Sequence, residues 1–193
     1  IIRKALADYG DLLAEMDLKL GFNLSAQTLC DPSLWTFVEG IAKEHRTPLS
    51  QVAFEITETT AVSCFETANS FVGKARQKGC MVSLDDFGSG LSSFDYLRRF
   101  PINCIKIDGA FVERIADSEV DRAIIAAVVK LAKSLHFDVV AEKIETAEIV
   151  TQLRDLGVTH GQGYHLHRPE PLDDLVKRRL DLMNRFDSKA MAG

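Results

Sequence analysis

Apolar residues recur along this chain with two different spacings, and the two spacings alternate. Runs with a period of two, typical of strands, lie at 18–25, 51–57, 80–85, 102–107, 137–142 and 159–164. Helical spacing lies at 1–17, 33–45, 63–78, 119–135 and 146–156, and a last amphipathic segment begins after Pro171. Regular alternation of strands and helices predicts parallel strands in an α/β fold.

The six predicted strands share a second pattern, because one parity of each strand is apolar and the other carries a polar residue near its C-terminal end. In "VAFEIT", for example, Val52, Phe54 and Ile56 form the apolar set and Glu55 lies opposite. The polar residues of the six strands are, in order, Asn23, Glu55, Asp85, Lys106, Glu142 and Gln162. One such residue is ordinary turn chemistry, but six in register predict a common face. In a (β/α) barrel that face is the interior, and chemistry takes place at the C-terminal mouth. An open doubly wound sheet would instead bind its ligand at one switch point.

Length and charge narrow the class of protein. A chain of 193 residues fits one domain, which we expect over 1–186 with a C-terminal tail over 187–193. The net charge of −5 argues against a nucleic-acid surface. No run of 18 apolar residues occurs, so we expect no membrane contact by this segment. Four widely spaced cysteines and the absence of a signal-peptide pattern predict a cytoplasmic location, either free or as the cytoplasmic part of a larger membrane-anchored protein.

The stretch "MVSLDDFGSG" (81–90) ends an apolar strand with two adjacent aspartates, Asp85 and Asp86. Neighbouring carboxylates repel each other and resist desolvation unless a cation lies close by. Because successive residues of a strand point to opposite sides, the pair is expected to serve two ions or two sides of one ion.

Further acids are predicted at the same mouth, namely Glu55 and Glu142, with Lys106 as the obvious counter-charge. Carboxylate-rich sites suit Mg²⁺ or Mn²⁺ rather than zinc. Two such ions, about 3.5–4 Å apart, form the usual clamp for phosphoester hydrolysis. The residues therefore predict a metal-dependent hydrolase acting on a phosphoester.

Six motifs follow one another along the chain: "NLSA" (23–26), "FEITET" (54–59), "SLDDFGSGLSS" (83–93), "IKIDGAFV" (105–112), "VVAEKIET" (139–146) and "GQGY" (161–164). This ordered set resembles the EAL-domain family of bacterial signalling enzymes, phosphodiesterases that linearise the second messenger cyclic di-GMP. The resemblance covers residues 1–172 and implies a modified (β/α)₈ TIM-like barrel. It also implies hydrolysis of cyclic di-GMP to linear pGpG by metal-activated water, with Mg²⁺ or Mn²⁺ in a two-metal site.

The resemblance also implies a role for each matching residue. Glu142 would be the general base, and Lys106 would orient the water or a phosphate oxygen. Glu58 would hold the loop after Asp86, Glu145 would support the site from behind, and Gln162 would complete the mouth. The implied metal ligands are Asn23, Glu55, Asp85 and Asp86.

Two departures from the family pattern bear on these expectations. The Glu-Ala-Leu signature lies before the Asn motif, on a strand this chain does not contain, so the first two barrel strands and one metal-ligating glutamate are expected to be absent. We therefore expect the chain alone to hydrolyse cyclic di-GMP negligibly, and its exposed sheet edges to favour a homodimer. Regulatory or sensory domains are expected in the full-length protein. The second departure is Lys143, where the family usually has glycine.

Two alternatives stay open at this point. A catalytically degenerate member of the family would act as a cyclic di-GMP receptor or scaffold. An unrelated barrel enzyme could use Lys106 to form a Schiff base, but the nearby carboxylates should keep that lysine protonated, which is the wrong state for attack on a carbonyl.

Overall fold

The structure is a computed structural model that describes residues 1–16, 18–88 and 97–190, with the side chains of residue 14 and of 184–190 outside the description. Its strands are β1 (Leu20–Leu24), β2 (Val52–Thr57), β3 (Met81–Phe87), β4 (Cys104–Ile107), β5 (Asp138–Ala141) and β6 (His160–Gly161). Its helices are α1 (Ile2–Glu15), α2 (Ala26–Leu29), α3 (Leu34–Glu44), α4 (Glu58–Ser63), α5 (Phe65–Gln77), α6 (Gly109–Val112), α7 (Glu119–Leu135), α8 (Ala147–Leu156) and α9 (Leu172–Ala190).

The six strands form one sheet in which every strand pairs in parallel with the next one along the chain, in the order β1-β2-β3-β4-β5-β6. Parallel neighbours need a crossover, and the helices between the strands supply it. Strand order that follows chain order is the topology of a (β/α) barrel. The predicted α/β class and the six strands are confirmed, and the carboxyl ends of all six strands lie at one edge.

Alternate strand residues are buried under the helices, as the sequence pattern predicts. Val52, Phe54 and Ile56 of β2 are fully buried. The Phe54 ring packs edge-on against the Phe71 ring of α5 at a centroid distance of 5.1 Å. Trp35 of α3 also contacts the Phe71 ring, at a centroid distance of 6.0 Å. Buried aromatic area dominates core energetics, so these contacts fix two helices on the outer face of the sheet and leave the other parity free for chemistry.

Hydroxyl side chains cap helices that follow strands of the sheet. Thr57 ends β2 and its Oγ1 accepts a hydrogen bond from the Thr60 backbone N–H at 3.3 Å. Thr146 caps α8 in the same way, with the Ile149 N–H donating at 3.3 Å. Capping satisfies backbone donors that the first turn leaves free. The caps therefore fix the backbone conformation at the start of each of these helices.

The predicted helix near 63–78 corresponds to α5, but helix α4 before it was not predicted. The structure has α4 from Glu58 directly after β2, then a break at Cys64, whose φ of −133° and ψ of 47° are not helical, and then α5. Helix α4 has only six residues, which is why periodicity alone did not reveal it. The short helices α2 and α6 were also not predicted, since a single turn carries too little periodic signal.

The last helix, α9, continues to Ala190, beyond position 186 at which the sequence pattern places the start of a tail. Residues 191–193 lie outside the described residues, and the division of the chain into 1–186 and 187–193 stays a prediction. Among the described residues, none of the helices combines the length and the apolar character required to cross a bilayer.

Candidate functional site

The polar residues predicted on one face do reach the carboxyl edge of the sheet. Asn23 of β1 is directly opposite Glu55 of β2 in the strand register. Lys106 lies in β4, Glu142 directly follows β5, and Gln162 directly follows β6. Parallel strands place their carboxyl ends together, so residues that are far apart in sequence become neighbours at this edge.

Lys106 is the centre of the site. Its ammonium lies 2.8 Å from Glu55 Oε2, 2.7 Å from Glu142 Oε1 and 3.0 Å from Asp85 Oδ1, and the residue is only 4% exposed. Burial alone would lower the pKa of Lys106, but the hydrogen bonds to Glu142 and Glu55 outweigh burial, and the net pKa is raised. The lysine is therefore held as a cation, which excludes the Schiff-base alternative because that chemistry needs a free amine.

A bulge in β3 places both adjacent aspartates at this site. Leu84 pairs with Ile105 and Phe87 pairs with Ile107, so Asp85 and Asp86 together face the single residue between them on β4. Asp86 adopts a left-handed backbone with φ of 52°. Two residues opposite one is the definition of a β-bulge, and bulges re-aim side chains. The expectation that the two carboxylates point to opposite sides is therefore wrong, because the strand is not regular there.

The re-aimed carboxylates form a cluster that fits a divalent cation. Asp85, Asp86 and Glu142 each offer an oxygen, and these oxygens lie within 4.8 Å of one another. Apart from its contact with the Lys106 ammonium, the buried Asp85 Oδ1 accepts no hydrogen bond from the described part of the chain. Oxygen ligands in such a number and spacing suit a hard cation such as Mg²⁺ or Mn²⁺.

The electrostatics of the carboxylate cluster also favour binding of a cation. Burial, followed by the charge of Asp85, raises the pKa of the Asp86 carboxyl. Burial also raises the pKa of Glu142, and the adjacent Lys106 ammonium offsets only part of that rise. Carboxylates that crowd each other out of water are stabilised by an added positive charge. The site is thus one in which a bound cation would relieve repulsion.

Two of the predicted metal ligands, Glu55 and Asn23, lie beside this cluster of three carboxylates. Glu55 is joined to the cluster through Lys106, and Asn23 is its exposed neighbour on β1. Glu142, predicted as the general base, is also a member of the carboxylate cluster. The structure therefore brings all of these positions to one mouth, with Lys106 in the middle of the acids.

Glu58 lies behind the bulge. It is buried at the first turn of α4, and its Oε2 accepts a hydrogen bond of 3.2 Å from the backbone N–H of Gly88. Gly88 has a φ of 96°, a conformation that side chains with a Cβ rarely adopt. This contact ties the end of β3 to α4. The motif residues 89–93 that follow, including Gly90, lie outside the described residues.

A cleft of about 320 Å³ opens beside Glu142, and Glu145 and Gln162 line it together with Glu113, Lys143, Gly163 and Tyr164. The Gln162 backbone bridges two strands, donating to the Ala141 carbonyl at 2.8 Å and accepting from the Ile144 N–H at 3.0 Å. The predicted supporting residues Glu145 and Gln162 therefore share one cleft with the predicted base.

Gly163 permits this bridging. A Cβ added to Gly163 would lie 2.1 Å from the Ile144 nitrogen and 2.3 Å from its carbonyl oxygen. Those atoms are backbone and cannot rotate away, so we expect Gly163→Ala to destabilise the protein by about 2–3 kcal/mol. The matched exchange Gly40→Ala, in α3 with open space around it, should stabilise by about 0.5–1 kcal/mol. Urea unfolding of both variants measures the difference, and equal stabilities would contradict the close approach.

Lys143 lies at the rim of the cleft in a left-handed conformation, with φ of 51°. Its ammonium is 3.4 Å from Glu113 Oε1, and the two side chains are 60% and 47% exposed. An exposed ion pair contributes about 0–1 kcal/mol. A left-handed backbone at a residue with a Cβ costs about 1–2 kcal/mol. The ion pair with Glu113 therefore does not compensate for this backbone conformation.

Lys106→Met is expected to destabilise the metal-free protein. Removing the ammonium leaves Glu55, Asp85 and Glu142 partly buried without their shared partner. Breaking a fully buried pair costs about 3–5 kcal/mol, and since these carboxylates keep some solvent contact we expect about 2–4 kcal/mol. Urea unfolding in the presence of a chelator measures it. The control Lys78→Met removes an exposed ion pair with Glu39 and should change stability by less than about 1 kcal/mol. A Lys106 variant as stable as this control would show that the acids need no counter-charge.

Sequence reasoning missed some members of the site. Asp108 lies close enough to add to the raised pKa of Asp86. Glu113 and Tyr164 line the cleft. Glu113 follows a short helix and carries no periodic signal, whereas Tyr164 shares the strand parity of Gln162, which is the one feature that would have indicated it.

Comparison with known proteins defines the protein family. The EAL domain family model matches residues 1–169. The chain belongs to the EAL domain family, as the motifs predict.

Individual relatives agree in fold and sequence. The chain is 32% identical over 173 residues to the cyclic di-GMP phosphodiesterase PdeA of Borreliella burgdorferi, a match that covers 89% of this chain and 26% of that protein. The solved c-di-GMP complex of the PaMucR phosphodiesterase has a TM-score of 0.84 and 32% identity, covering 90% of this chain and 71% of that one. The EAL domain of Mycobacterium smegmatis DcpA has a TM-score of 0.85 and 30% identity, covering 93% and 82%. The chain thus spans about a quarter of the length of the curated relative.

Proposed function

We propose that the full-length protein hydrolyses cyclic di-GMP to linear pGpG at this site, with divalent metal ions. The observation that carries the proposal is the cluster of Asp85, Asp86 and Glu142, with ligand oxygens within 4.8 Å of one another beside the buried cation of Lys106. Membership of the EAL domain family and the relatives named as cyclic di-GMP phosphodiesterases support the choice of substrate.

We assign the metal-binding role to Asn23, Glu55, Asp85 and Asp86. Mg²⁺ or Mn²⁺ at a two-metal site would lower the pKa of a bound water and neutralise charge on the phosphate. The four residues contribute oxygen atoms only, which favours these ions over zinc. The β3 bulge supports the assignment, because it presents two carboxylates of one strand to one place.

Lys106 and Glu142 are the residues that act on the reacting groups in this proposal. Lys106 is held as a cation at the centre of the acids, so it can orient a water or donate to a phosphate oxygen but cannot accept a proton. Glu142 lies 2.7 Å from that ammonium and also faces the cleft. A carboxylate that contacts the ammonium and faces the cleft is placed to accept a proton from a water there, which suits a general base.

The remaining residues of the motif support the reacting ones. Glu58 holds the backbone at Gly88 and so maintains the end of the bulged strand. Gln162 and Glu145 form the wall of the cleft next to Glu142. In this proposal they shape the space that the substrate enters and do not exchange protons with it.

The test is incubation of the full-length native protein with cyclic di-GMP and Mg²⁺, Mn²⁺ or a chelator, with products separated by chromatography. Metal-dependent conversion to linear pGpG is the expected result. Binding of cyclic di-GMP without conversion in any metal would refute the catalytic proposal and assign the receptor or scaffold role. The absence of both binding and conversion would refute both roles.

We further propose that the protein acts as a homodimer with regulatory or sensory domains outside this chain. Among the described residues, β1 and β6 each have one strand neighbour, so in this chain their other edges can pair with another copy or with strands from the rest of the protein. The greater length of the relatives supports further domains. Light scattering on the full-length protein tests the dimer, and the cytoplasmic location stays a prediction.

A further inference from the structure

We propose that Lys143 contacts an anionic phosphate of the substrate and sets how tightly the cleft binds it. This inference rests on the proposed function, and it concerns a residue that stands where the family usually has glycine. It is carried by three features of the structure: the backbone conformation of Lys143, the path of its side chain, and the charges that surround its ammonium.

The backbone conformation is the first feature. Lys143 directly follows Glu142 and has φ of 51°. Glycine adopts this conformation freely, whereas a residue with a Cβ is strained there. Strain that the exposed contact with Glu113 does not offset is a pointer to function rather than to stability.

The second feature is the path of the side chain, which runs over Gly109 at the start of α6. A Cβ added to Gly109 would lie 2.4 Å from Lys143 Cδ, 2.6 Å from Cγ and 2.9 Å from Cβ. Gly109 itself is buried. The stem therefore fits into a place that only a residue without a side chain leaves open, beside the cleft that Lys143 lines, while the rest of the side chain stays accessible to solvent and to a ligand.

The third feature is charge. Among the described residues that line the cleft, Lys143 is the one cation, against the acids Glu113, Glu142 and Glu145. Lys106 is buried and already surrounded by three carboxylates, so it has less freedom to follow a ligand. The Lys143 ammonium contacts the exposed Glu113 carboxylate at 3.4 Å, and it lies close enough to Asp86 to offset part of the rise that burial causes in the pKa of that carboxyl. It can leave the exposed Glu113 when an anion enters. A phosphodiester is the anion that the proposed reaction brings to this cleft.

Steady-state kinetics of the full-length protein with cyclic di-GMP test this role. Lys143→Met keeps the length of the stem and removes the charge, and we expect KM to rise about tenfold with kcat changed by less than about twofold, the effect of losing one charge-assisted contact. Lys143→Arg keeps the charge and should stay within about threefold of the wild type in KM. The control Lys78→Met removes an equally exposed ion-paired lysine and should leave KM unchanged.

Substitution of Gly109 provides a second, independent test of the role of Lys143. Gly109→Ala should displace the Lys143 stem and raise KM when Lys143 is present, but add no further change in the Lys143→Met background. Lys143→Gly should raise Tm by relieving the strained backbone while it also raises KM. A residue with a purely structural role would not move stability and substrate affinity in opposite directions.

The outcomes separate this inference from the proposed function. An active wild type whose Lys143→Met variant has unchanged KM, or has a lower kcat at unchanged KM, overturns the role of Lys143 and leaves the proposed function intact. A wild type that neither binds nor hydrolyses cyclic di-GMP overturns both. If the effects of Gly109→Ala and Lys143→Met on KM are additive, Gly109 does not act by positioning the Lys143 side chain.

Discussion

Asp85→Asn is expected to weaken binding of Mg²⁺ or Mn²⁺ by more than about 100-fold and to bring hydrolysis of cyclic di-GMP below detection. Asp85 faces the cluster from the bulge, and its buried Oδ1 has the Lys106 ammonium as its contact. An amide keeps the shape of the side chain but removes the charge that attracts a hard cation. Calorimetric titration of the full-length protein with each metal, beside the product assay, measures both effects.

The control for this variant is Asp155→Asn, which makes the same exchange at an exposed position of α8. The metal-free Asp85 variant should keep the thermal stability of the wild type. It loses one partner of Lys106, but it also loses a charge that opposes the ionisation of Asp86. Unchanged metal affinity in Asp85→Asn would remove this residue from the metal site. Weakened metal binding with full hydrolysis would refute the dependence of the reaction on that metal.

Glu142→Gln is expected to reduce kcat by about 10²–10⁴-fold while cyclic di-GMP is still bound, because a general base contributes about that much to the rate. Glu142 contacts the Lys106 ammonium at 2.7 Å and lines the cleft. Glutamine can keep the hydrogen bond to the ammonium but cannot accept a proton. Single-turnover hydrolysis and equilibrium binding of cyclic di-GMP separate the chemical step from affinity.

The matched exchange Glu15→Gln, at the exposed end of α1, should leave both quantities unchanged. Near-normal turnover in Glu142→Gln would assign the base elsewhere, and Glu145 in the same cleft would be the next candidate. Loss of cyclic di-GMP binding together with turnover would show that Glu142 holds the substrate or the metal and is not primarily a base.

The alternation of apolar and polar residues was sufficient to predict most of the scaffold. Burial of Val52, Phe54 and Ile56 follows directly from period two, and the predicted helix over 119–135 matches α7 in both bounds. Such patterns can be read from sequence because a strand turns alternate residues to opposite faces, whatever it packs against. The same rule placed Glu55, Lys106 and Glu142 on one face before any contact was known.

The local rule failed where a partner strand changed the backbone. Regular alternation would separate Asp85 from Asp86, yet the register with β4 and the left-handed conformation of Asp86 bring both to one place. A bulge depends on how two strands pair, and that pairing is not encoded in the seven residues of β3. Helix α4 was missed for a different reason, since its six residues carry too little periodic signal.

Contacts over long sequence separations decided the chemistry of the site. Lys106 and Glu55 are 51 residues apart and meet at 2.8 Å, and the raised pKa of Lys106 follows from that meeting and from Glu142. In the sequence Lys143 stands out because the family usually has glycine there, but only its neighbours Gly109 and Glu113 show that it lies beside a cleft. Residue types and strand parity are local properties of the sequence. The charge state of a side chain such as Lys106, and the groups that a side chain such as Lys143 can contact, depend on which residues the fold brings within a few ångströms.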